Sequence, residues 1–493
     1  MSGLSLAAFP AARDNTRLLV VPVVGEGDAL AAVPAFAVPG LDRLVTALQR
    51  DPRVSAEAGS VAPVVVAGAG EDPDLMAVSL GDERTADAVR DAFQAAASET
   101  LGRDACFVLP AGIDPAAAAR AAAEGILLGR FRPEGSSDPD GEDDTLVLAV
   151  PAEHVDDRAV TSAFATGLAA GRTANWVRHL VELPPSRLWP ERLADVIATR
   201  ARELGLTAEV WDRPAMLAEG FGGTAAVGVG SANGPRVVVL KTPRPPGVRP
   251  LGLAGKGMTF DAGGINLKRD LHEIHRMKDD MAGAAAVAGA LFAAAELGLA
   301  GPVIAVLPMA ENMPSGAAQR PGDIITHPDG QTSEVVDTDC EGRLILADAL
   351  AWLRRQGVSG LIDVGTLTDG GGVGPLLWGA WSNDDALAEA VFKAGAAAGE
   401  PGWRLPLKRQ YRALLESRVA DIANAPLSHA DIGLTAATFL SAFAGDTPWV
   451  HIDNGSSAFL EEDIGVWEEG ATGSPVRALL QLLIDRAGTA SAA

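Results

Sequence analysis

The stretch VVDTDCEGRLILADAL, residues 335–350, joins a group of charged side chains directly to the pattern of an apolar helix. Asp337, Asp339, Glu341 and Arg343 occupy every second position. In an extended or irregular segment, residues two apart point the same way, so the last three are expected to share a face. Alternating charge of this kind is usually typical of a solvated strand edge. Here the apolar helix begins at once, which predicts a strand-to-helix junction, the place where open α/β sheets bind their ligands.

A second polar constellation lies in LAGKGMTFDAGGINLKRDLHEIHRMKDDMAGAAAV, residues 253–287. Lys256 ends an apolar strand pattern, Asp261 follows in a Gly-rich turn, and Asp280 precedes an Ala-rich helix pattern, with Lys268 between them. Two loops with ordinary surface charges are the alternative interpretation. Taken together with Asp339 and Glu341, these carboxylates would repel one another unless cations neutralised them. A site for two divalent metal ions explains the set better.

The rest of the chain alternates short β-branched runs with Ala-rich amphipathic segments, which is typical of an α/β protein. We predict a small N-terminal α/β domain, a connecting helix, and a larger C-terminal α/β/α domain with a mixed central sheet. The predicted bounds are 1–157, 158–183 and 184–493. Strands are predicted at 18–24, 145–150, 236–241, 250–256, 302–308 and 360–365, and helices at 85–97, 115–130, 189–205 and 281–298.

Composition excludes several classes of protein. The chain has 493 residues, 48% of them hydrophobic, and a formal net charge of −24, so a nucleic-acid partner is not expected. Cys106 and Cys340 are the two cysteines, which implies no disulfide framework. The N-terminus lacks a basic start followed by an apolar run, and no run of 18 apolar residues occurs. We therefore expect a cytoplasmic protein without a membrane partner.

At these motifs the chain resembles the leucyl aminopeptidase family, the cytosol aminopeptidases. The family's NTDAEGRL corresponds to DTDCEGRL here, and its GKGxTFDSGG corresponds to GKGMTFDAGG. The likeness extends through ENMPSG at 311–316, RPGD at 320–323, TLT at 366–368 and WVHID at 449–453. Matching motifs are dense from about residue 170 to 480. Before residue 170 the likeness is weaker, but the matching segments occur in the same order.

The resemblance implies a metal-dependent hydrolase that releases N-terminal residues from peptides with a free N-terminus. It implies catalytic roles for Lys268 and Arg343, of which Lys268 would stabilise the oxyanion and Arg343 would hold a bicarbonate. It also implies two divalent ions, Zn²⁺ or Mn²⁺, with Mg²⁺ or Co²⁺ compatible, which activate a hydroxide, and a homo-hexameric assembly. The implied metal ligands are Lys256, Asp261, Asp280, Asp339 and Glu341, and the implied substrate-pocket residues are Met277, Thr366, Asp369, Gly455 and Ala458.

Several positions depart from the family pattern. Asp369 stands where the family has a pocket glycine, so a polar or cationic N-terminal side chain would be preferred over leucine, unless Asp369 turns away from the pocket. Asp337 replaces an asparagine and Cys340 an alanine, and either change would shift metal preference or be tolerated. A specialised peptide-tailoring hydrolase or dipeptidase is therefore an alternative, and a catalytically weak scaffold or regulatory homologue is a further one.

Overall fold

The computed structural model describes residues 3–9, 11, 18–26, 29–48, 61–66, 73–136, 144–299, 301–428 and 430–491. Two compact units make up the chain, each with its own core. The N-terminal unit is Met1–Asn175 with Asp463–Glu468, and the C-terminal unit is Trp176–Glu462 with Glu469–Ala493. The boundary at 175/176 falls inside one long helix, α4, which spans Arg158–Glu182.

The N-terminal unit is built around a mixed sheet. Its described strands follow the order β1-β7-β6-β2-β5-β4, with β3 paired to β2, and the inner pairs are parallel. Its elements are β1 (Leu4–Ala8), β2 (Leu18–Glu26), β3 (Ala29–Ala32), α1 (Leu41–Leu48), β4 (Val61–Val66), β5 (Asp74–Ser79), α2 (Ala86–Glu99), β6 (Ala105–Val108), α3 (Pro115–Gly129) and β7 (Leu146–Val150).

Strand β2 shows why this sheet is covered on both faces. Leu18 and Val20 belong to one apolar cluster with the helices α2 and α3, whereas Leu19 and Val21 belong to a second cluster with α1. Successive side chains of a strand point to opposite faces, so a continuous apolar run is what a doubly covered strand requires.

The C-terminal unit is larger and has a longer mixed sheet. The elements are α5 (Pro190–Glu203), β8 (Thr207–Trp211), α6 (Arg213–Ala218), α7 (Gly222–Val227), β9 (Arg236–Lys241), β10 (Leu251–Gly255), β11 (Gly257–Asp261), α8 (Leu271–Arg276), α9 (Ala282–Glu296), β12 (Val303–Asn312), β13 (Ile324–Thr326), β14 (Thr332–Glu334), α10 (Glu341–Arg355), β15 (Gly360–Gly365), β16 (Trp378–Ser382), α11 (Asp385–Ala397), β17 (Gly402–Arg404), β18 (Ile422–Ala423), α12 (Ile432–Ala444), β19 (Trp449–Asp453), β20 (Phe459–Leu460), β21 (Gly470–Ala471) and α13 (Val476–Ser491).

The main sheet of this unit has the order β17-β16-β19-β15-β10-β12-β9-β8, with β11 added beside β12. Strands β19, β15, β10 and β12 run parallel, and antiparallel pairs flank them. Smaller sheets are formed by β13-β14-β18 and by β20-β21. Because the central strands are parallel, their carboxyl ends meet at one edge, which is where the loops that carry the polar constellations begin.

Helices cover both faces of the main sheet. Helices α7, α10 and α12 share one apolar cluster with the strands, and α9 and α13 pack together with α11 in a separate layer. Helix α9 lies close to the strands because it is rich in Ala and Gly: a Cβ at Gly283 would come within 2.4 Å of the carbonyl oxygen of Val364. The predicted fold class, two α/β domains with a mixed central sheet in the larger one, is confirmed.

Candidate active site

The charged residues from both sequence constellations meet at the carboxyl ends of the parallel strands. Lys256 follows β10 directly, and Asp280 lies in the turn that leads into α9. Asp261 is the last residue of β11, so the prediction that it lies in the Gly-rich turn is wrong. The turn begins one residue later, because the backbone of β11 pairs with β12 as far as Asp261 and Asn312.

Glu341 and Arg343 do not lie on an extended segment, as the alternating charge had suggested. Helix α10 begins at Glu341, so both residues are in its first turn. Residues two apart on a helix point to roughly opposite sides, and the two side chains accordingly have different partners. Glu341 faces the carboxylate cluster, whereas the Arg343 guanidinium donates to the carbonyl oxygens of Asn424, at 2.8 Å, and Ile432, at 3.5 Å. The negative charge of Glu341 also suits the amino end of a helix.

Three carboxylates form the centre of the site. Asp261, Asp280 and Glu341 are all buried, and each offers an oxygen such that all three lie within 4.8 Å of one another. The Lys256 ammonium lies between two of them, 2.6 Å from Asp280 Oδ1 and 2.9 Å from Glu341 Oε1. A glycine makes this approach possible, since a Cβ at Gly342 would come within 2.7 Å of Lys256 Nζ.

Lys268 joins the fourth carboxylate to the cluster. Its ammonium lies 2.7 Å from Asp339 Oδ1 and 3.0 Å from Asp261 Oδ2. The turn after β11 brings these groups together through Gly263, which has a φ of +86° and whose added Cβ would lie 2.8 Å from Asp339 Oδ1. A side chain at this position would be strained and would push the carboxylate away.

The site holds more negative than positive charge. Four carboxylates of the cluster face two ammonium groups, an excess of two negative charges when all are ionised. This count leaves aside the half-exposed Glu273, whose Oε1 lies 3.5 Å from Lys268 Nζ. Burial, and then repulsion from Asp261 and Glu341, raises the pKa of Asp339 to about 8, although Lys268 opposes the change. Burial likewise raises the pKa of Asp280 well above its usual range, against the attraction of Lys256. Burial and the neighbouring Asp261 raise the pKa of Glu341.

This environment fits divalent cations. Asp280 Oδ2 is buried and accepts no hydrogen bond from the described residues, so it has a lone pair aimed into the site without a partner. The other oxygen of Asp280 is held at 2.6 Å by the Thr366 hydroxyl, and Asp261 Oδ1 accepts from the amide of Asn312 at 2.8 Å. Carboxylates that are oriented by such hydrogen bonds and lack enough protein counter-charge are suited to hard metal ions.

Arg343 is a buried cation without an acidic partner. Its side chain is buried, and no carboxylate of the described residues lies within ion-pair distance of its guanidinium. Both partners given above are neutral carbonyl oxygens. A buried guanidinium whose charge is not compensated by the protein is suited to an exogenous anion.

A cavity of about 760 Å³ opens over the cluster. Four of the five predicted pocket residues line it, namely Met277, Thr366, Asp369 and Gly455. Ala458 is not among the lining residues: it is buried, and its backbone groups bond to Asn454 and Thr472. Sequence position alone did not show that the chain turns inward after Gly455.

Asp369 is exposed and faces the cavity from the loop after β15. Its Oδ1 accepts the backbone N–H of Gly371 at 3.2 Å, so the side chain also closes a tight turn. The three glycines that follow, Gly370 to Gly372, all have positive φ. One oxygen of the Asp369 carboxylate thus holds the glycine-rich loop, and the carboxylate as a whole remains accessible from the cavity.

The histidines near these motifs are not part of the cluster. His272 and His275 are exposed on α8. His451 is fully buried on β19, where its Nδ1 lies 2.6 Å from Asp363 Oδ1. Two residues that sequence analysis missed do support the site: Asn312, which holds Asp261, and Asn424, which bonds the loop of Asp339. Asn312 was detectable in the ENMPSG motif, whereas nothing in the sequence around Asn424 pointed to the site.

Comparison with known proteins adds to this geometry. Residues 175–480 match the model of the cytosol aminopeptidase family, catalytic domain, and residues 20–135 match that of its N-terminal domain. The chain belongs to the cytosol aminopeptidase family. The suspected resemblance is thereby confirmed, and the protein is a metal-dependent aminopeptidase, an enzyme that acts on peptides.

Relatives in this family are similar over most of their length. A probable cytosol aminopeptidase from Roseiflexus castenholzii is 45% identical over 394 residues, which is 77% of this chain and 79% of the relative. One from Streptomyces coelicolor is 36% identical over 506 residues, covering 97% of each chain. Among solved structures, the bottromycin maturation enzyme BotP in complex with Mn is 34% identical, with a TM-score of 0.83, and covers 96% of this chain and 100% of its own. Among the described residues, no helix combines the length and apolar character that crossing a membrane requires.

Proposed function

We propose that this cytosol aminopeptidase uses two divalent metal ions to release N-terminal residues from peptides, and that it prefers polar or cationic N-terminal side chains over leucine. One observation carries the dinuclear assignment. The four carboxylates of the site exceed its two ammonium groups by two charges, and Asp280 keeps a buried oxygen without a donor. Lys256 must also lose its proton to bind a metal ion, which raises the excess to three negative charges. One divalent cation does not neutralise three charges, whereas two do.

The residues that would hold the ions are Lys256, Asp261, Asp280, Asp339 and Glu341. Such a pair of ions, when bound, supplies a nucleophile from water at neutral pH and polarises the scissile carbonyl. Zn²⁺ or Mn²⁺ is proposed, and Mg²⁺ or Co²⁺ is compatible with the same oxygen-rich donor set. The Mn²⁺ in the BotP structure supports this choice.

Lys256 has a lone pair for a cation only after its ammonium has lost a proton. Without cations, burial disfavours the charged form, but Asp280, Glu341 and Asp261 outweigh it and hold the pKa of Lys256 above its ordinary value. In the absence of metal, the Lys256 ammonium therefore neutralises part of the carboxylate charge that bound metal ions would otherwise neutralise. Metal uptake is expected to release this proton to solvent.

Lys268 is the chain's own group for stabilising charge that develops on the substrate. Burial opposes its ionisation, but Asp261, Glu341 and Asp339 raise its pKa above the ordinary value, so it stays cationic at neutral pH. It lines the cavity, and an ammonium fixed beside the reacting carbonyl would donate to the oxyanion without reorganising.

Arg343 lines the same cavity and would hold a bicarbonate or a similar small anion. The buried guanidinium, which only carbonyl oxygens contact, supports this role. An anion held there would accept a proton from the attacking water and pass it to the leaving amine, the role of a general base and then a general acid.

The proposed side-chain preference rests on Asp369. Its carboxylate is exposed in the wall of the cavity. A cationic or polar side chain of the substrate would therefore donate a hydrogen bond to this carboxylate, whereas an apolar side chain would have no favourable contact with it. A leucine side chain packed against this carboxylate would displace water from it without supplying a hydrogen-bond donor, and this loss of solvation costs free energy.

The experiment that tests the proposal is hydrolysis of Leu-, Met-, Ser-, Arg- and Lys-amides by metal-stripped protein that is re-supplied with Mn²⁺, Zn²⁺, Co²⁺ or Mg²⁺. We expect cleavage to return with the metal, to be fastest for the polar or cationic amides, and to be lost in Lys268→Ala. Metal-dependent cleavage that is fastest for Leu-amide would remove the specificity claim. Cleavage by the stripped protein would contradict the metal mechanism.

A second candidate is a specialised peptide-tailoring hydrolase or dipeptidase of the same mechanism. The likeness to an enzyme of bottromycin maturation favours it, together with the departures at the pocket wall. Comparing dipeptides with longer peptides that share one N-terminal residue separates the two, because a tailoring enzyme would cleave the amide panel poorly and a defined longer peptide well.

We also propose a cytoplasmic homo-hexamer, in line with membership of the cytosol aminopeptidase family. Sedimentation velocity would show one species of about six chains. A monomer with full activity would contradict this assembly.

A further inference from the structure

The segment 336–340, which carries Asp339 and leads into Glu341, is held from a distant part of the chain. Strand β14 runs parallel to β18, with Ser333 opposite Ile422 and Glu334 opposite Ala423. The pairing ends after one further bond, from the backbone N–H of Asn424 to the carbonyl oxygen of Glu334 at 2.9 Å. Beyond this point, the segment has no strand beside it.

The side chain of Asn424 replaces the missing strand. Its Oδ1 accepts the backbone N–H of Val336 at 2.7 Å and of Asp337 at 3.1 Å. Its Nδ2 donates to the carbonyl oxygens of Asp337, at 2.6 Å, and Cys340, at 3.3 Å. A primary amide has two donor hydrogens and two acceptor lone pairs, so every bond that the side chain of Asn424 is able to make goes to this segment.

The same residue also fixes the catalytic cation. Asn424 is fully buried, and its backbone carbonyl oxygen accepts from Arg343 Nη1 at 2.8 Å. Asp337 adds an internal bond, because its Oδ1 accepts the backbone N–H of Asp339 at 2.9 Å. The backbone around Asp339 and the guanidinium of Arg343 therefore share one anchor that lies more than 80 positions later in the sequence.

We propose that Asn424 is a positioning residue that sets the metal affinity of the site, by holding the backbone from Val336 to Cys340 so that Asp339 and Glu341 point into the cluster. The inference rests on the proposed function, because it takes these two carboxylates as metal ligands. Without the amide, four partly buried backbone groups would lose their partners, and the segment would relax towards other hydrogen-bond partners. The carboxylates would then face the cations in several arrangements instead of one.

The test is a calorimetric titration of metal-stripped protein with Mn²⁺, together with hydrogen exchange of the metal-free protein. Asn424→Ala removes all four bonds. Asn424→Asp is nearly isosteric and keeps the acceptor oxygen, but it replaces the two donors with a second oxygen that repels the carbonyl oxygens of Asp337 and Cys340. Its added negative charge would attract Mn²⁺, so weaker binding in this variant would report the lost positioning, and the variant remains informative if Asn424→Ala does not fold. We expect both variants to bind Mn²⁺ about tenfold or more weakly, the size of effect typical for residues that orient metal ligands. The amides of Val336 and Asp337 should exchange faster, with Asn424→Ala the more affected.

Thr332→Val is the matched control. Thr332 lies on the same strand pair, and its hydroxyl bonds Asp421 Oδ2 at 2.8 Å and the backbone N–H of Asp421 at 3.0 Å. This change therefore removes a comparable link between β14 and β18 away from the ligands. We expect its Mn²⁺ affinity to stay within about twofold of wild type, since surface changes of this kind have small effects.

Mn²⁺ affinity separates positioning from mere stabilisation. If Asn424 only stabilised the fold, its variants would melt at a lower temperature and bind Mn²⁺ as tightly as Thr332→Val, which would overturn the inference and leave the proposed function intact. A wild-type protein that takes up no Mn²⁺ or any other divalent ion would overturn both.

Discussion

Two fully buried glutamates, Glu124 and Glu341, lie in opposite kinds of environment. In the N-terminal unit, Glu124 accepts from Arg90 Nε at 2.7 Å and from Arg120 Nε at 2.9 Å, and Asp87 contacts Arg90 as well. In these contacts, two carboxylates face two guanidinium groups, so the charges balance. In the C-terminal unit, Glu341 belongs to a set of four carboxylates with two ammonium groups, which do not balance.

The difference separates a structural cluster from a functional one. Burial disfavours the charge on Arg90, but Glu124 and Asp87 outweigh it and hold the pKa of Arg90 above its ordinary value. Around Glu341, burial and like charges instead raise the pKa values of three carboxyl groups. A buried cluster that the protein itself neutralises supports the fold, whereas a buried excess of one sign implies a ligand of the other sign.

The largest expected effect is on metal binding and activity in Glu341→Gln. Losing a metal ligand should weaken Mn²⁺ binding by more than about 100-fold, because residues that only orient the ligands already contribute up to that factor. The substitution should also abolish turnover. The metal-free variant should unfold at the wild-type temperature or above it, because a repelled carboxylate is removed. Activity, Mn²⁺ titration and thermal unfolding check the three parts. A metal-free variant that melts well below wild type would place Glu341 in a structural role.

The same substitution at Glu124 should have the opposite outcome. Glu124→Gln leaves the buried guanidinium of Arg90 and the partly buried one of Arg120 facing a neutral amide, which should lower the free energy of unfolding by about 3 to 5 kcal/mol. Its kcat and Mn²⁺ affinity should remain those of wild type at temperatures where it stays folded. Chemical denaturation and the amide assay measure these quantities. If Glu124→Gln lost activity while its stability was unchanged, the distinction between the two clusters would fail.

A smaller effect should appear in the pH dependence of stability without metal. The folded protein retains protons on Asp339, Asp280 and Glu341 at pH values where the unfolded chain has released them. These groups therefore leave stability unchanged below a pH of about 4 and lower it as pH rises from there towards 8, the folded pKa of Asp339.

The direction of this pH dependence is tested by denaturing metal-stripped wild type and metal-stripped Asp339→Asn at pH values from 5 to 9. The free energy of unfolding of wild type should fall more steeply, by the equivalent of about one proton per chain, and saturating Mn²⁺ should remove the difference. Parallel curves would show that Asp339 is ionised throughout this range.

The smallest expected effect concerns Asp369, because its carboxylate is exposed and screened by solvent. Asp369→Asn keeps an acceptor for the Gly371 amide and removes only the charge, whereas Asp369→Gly also opens space in the cavity. Both should lower the ratio of kcat/KM for Lys-amide over Leu-amide, by between about twofold and fivefold for the asparagine, the range for exposed ion pairs. An unchanged preference in both variants would mean that Asp369 serves only its loop.

Much of this arrangement follows from local sequence. Strand β9 has the predicted bounds, 236–241, because its apolar run lies between Pro235 and Pro243, and proline is poorly tolerated within a sheet. Helix α9 is predicted from its alanines to within two residues at each end. The grouping of the charged residues was also predictable, since motifs at the carboxyl ends of parallel strands converge.

The rest of the site depends on contacts between residues that are far apart in the sequence, and hydrophobic periodicity does not indicate such contacts. The start of α10 at Glu341 sends Arg343 away from the carboxylates, and alternating charge had suggested the contrary. Asn424 acts on residues more than 80 positions earlier, so no local pattern marks it. The inward turn that buries Ala458 also depends on partners at a distance, such as Thr472.

The most direct test of the central claim is the number of Mn²⁺ ions that metal-stripped wild type binds at neutral pH, measured by calorimetric titration with metal analysis of the product. The four carboxylates outnumber Lys268 by three charges once Lys256 has lost its proton, which predicts two ions per chain, and fewer in Glu341→Gln titrated alongside. A wild-type protein that binds no ion, or that binds the same number as Glu341→Gln with the same affinity, would contradict the account.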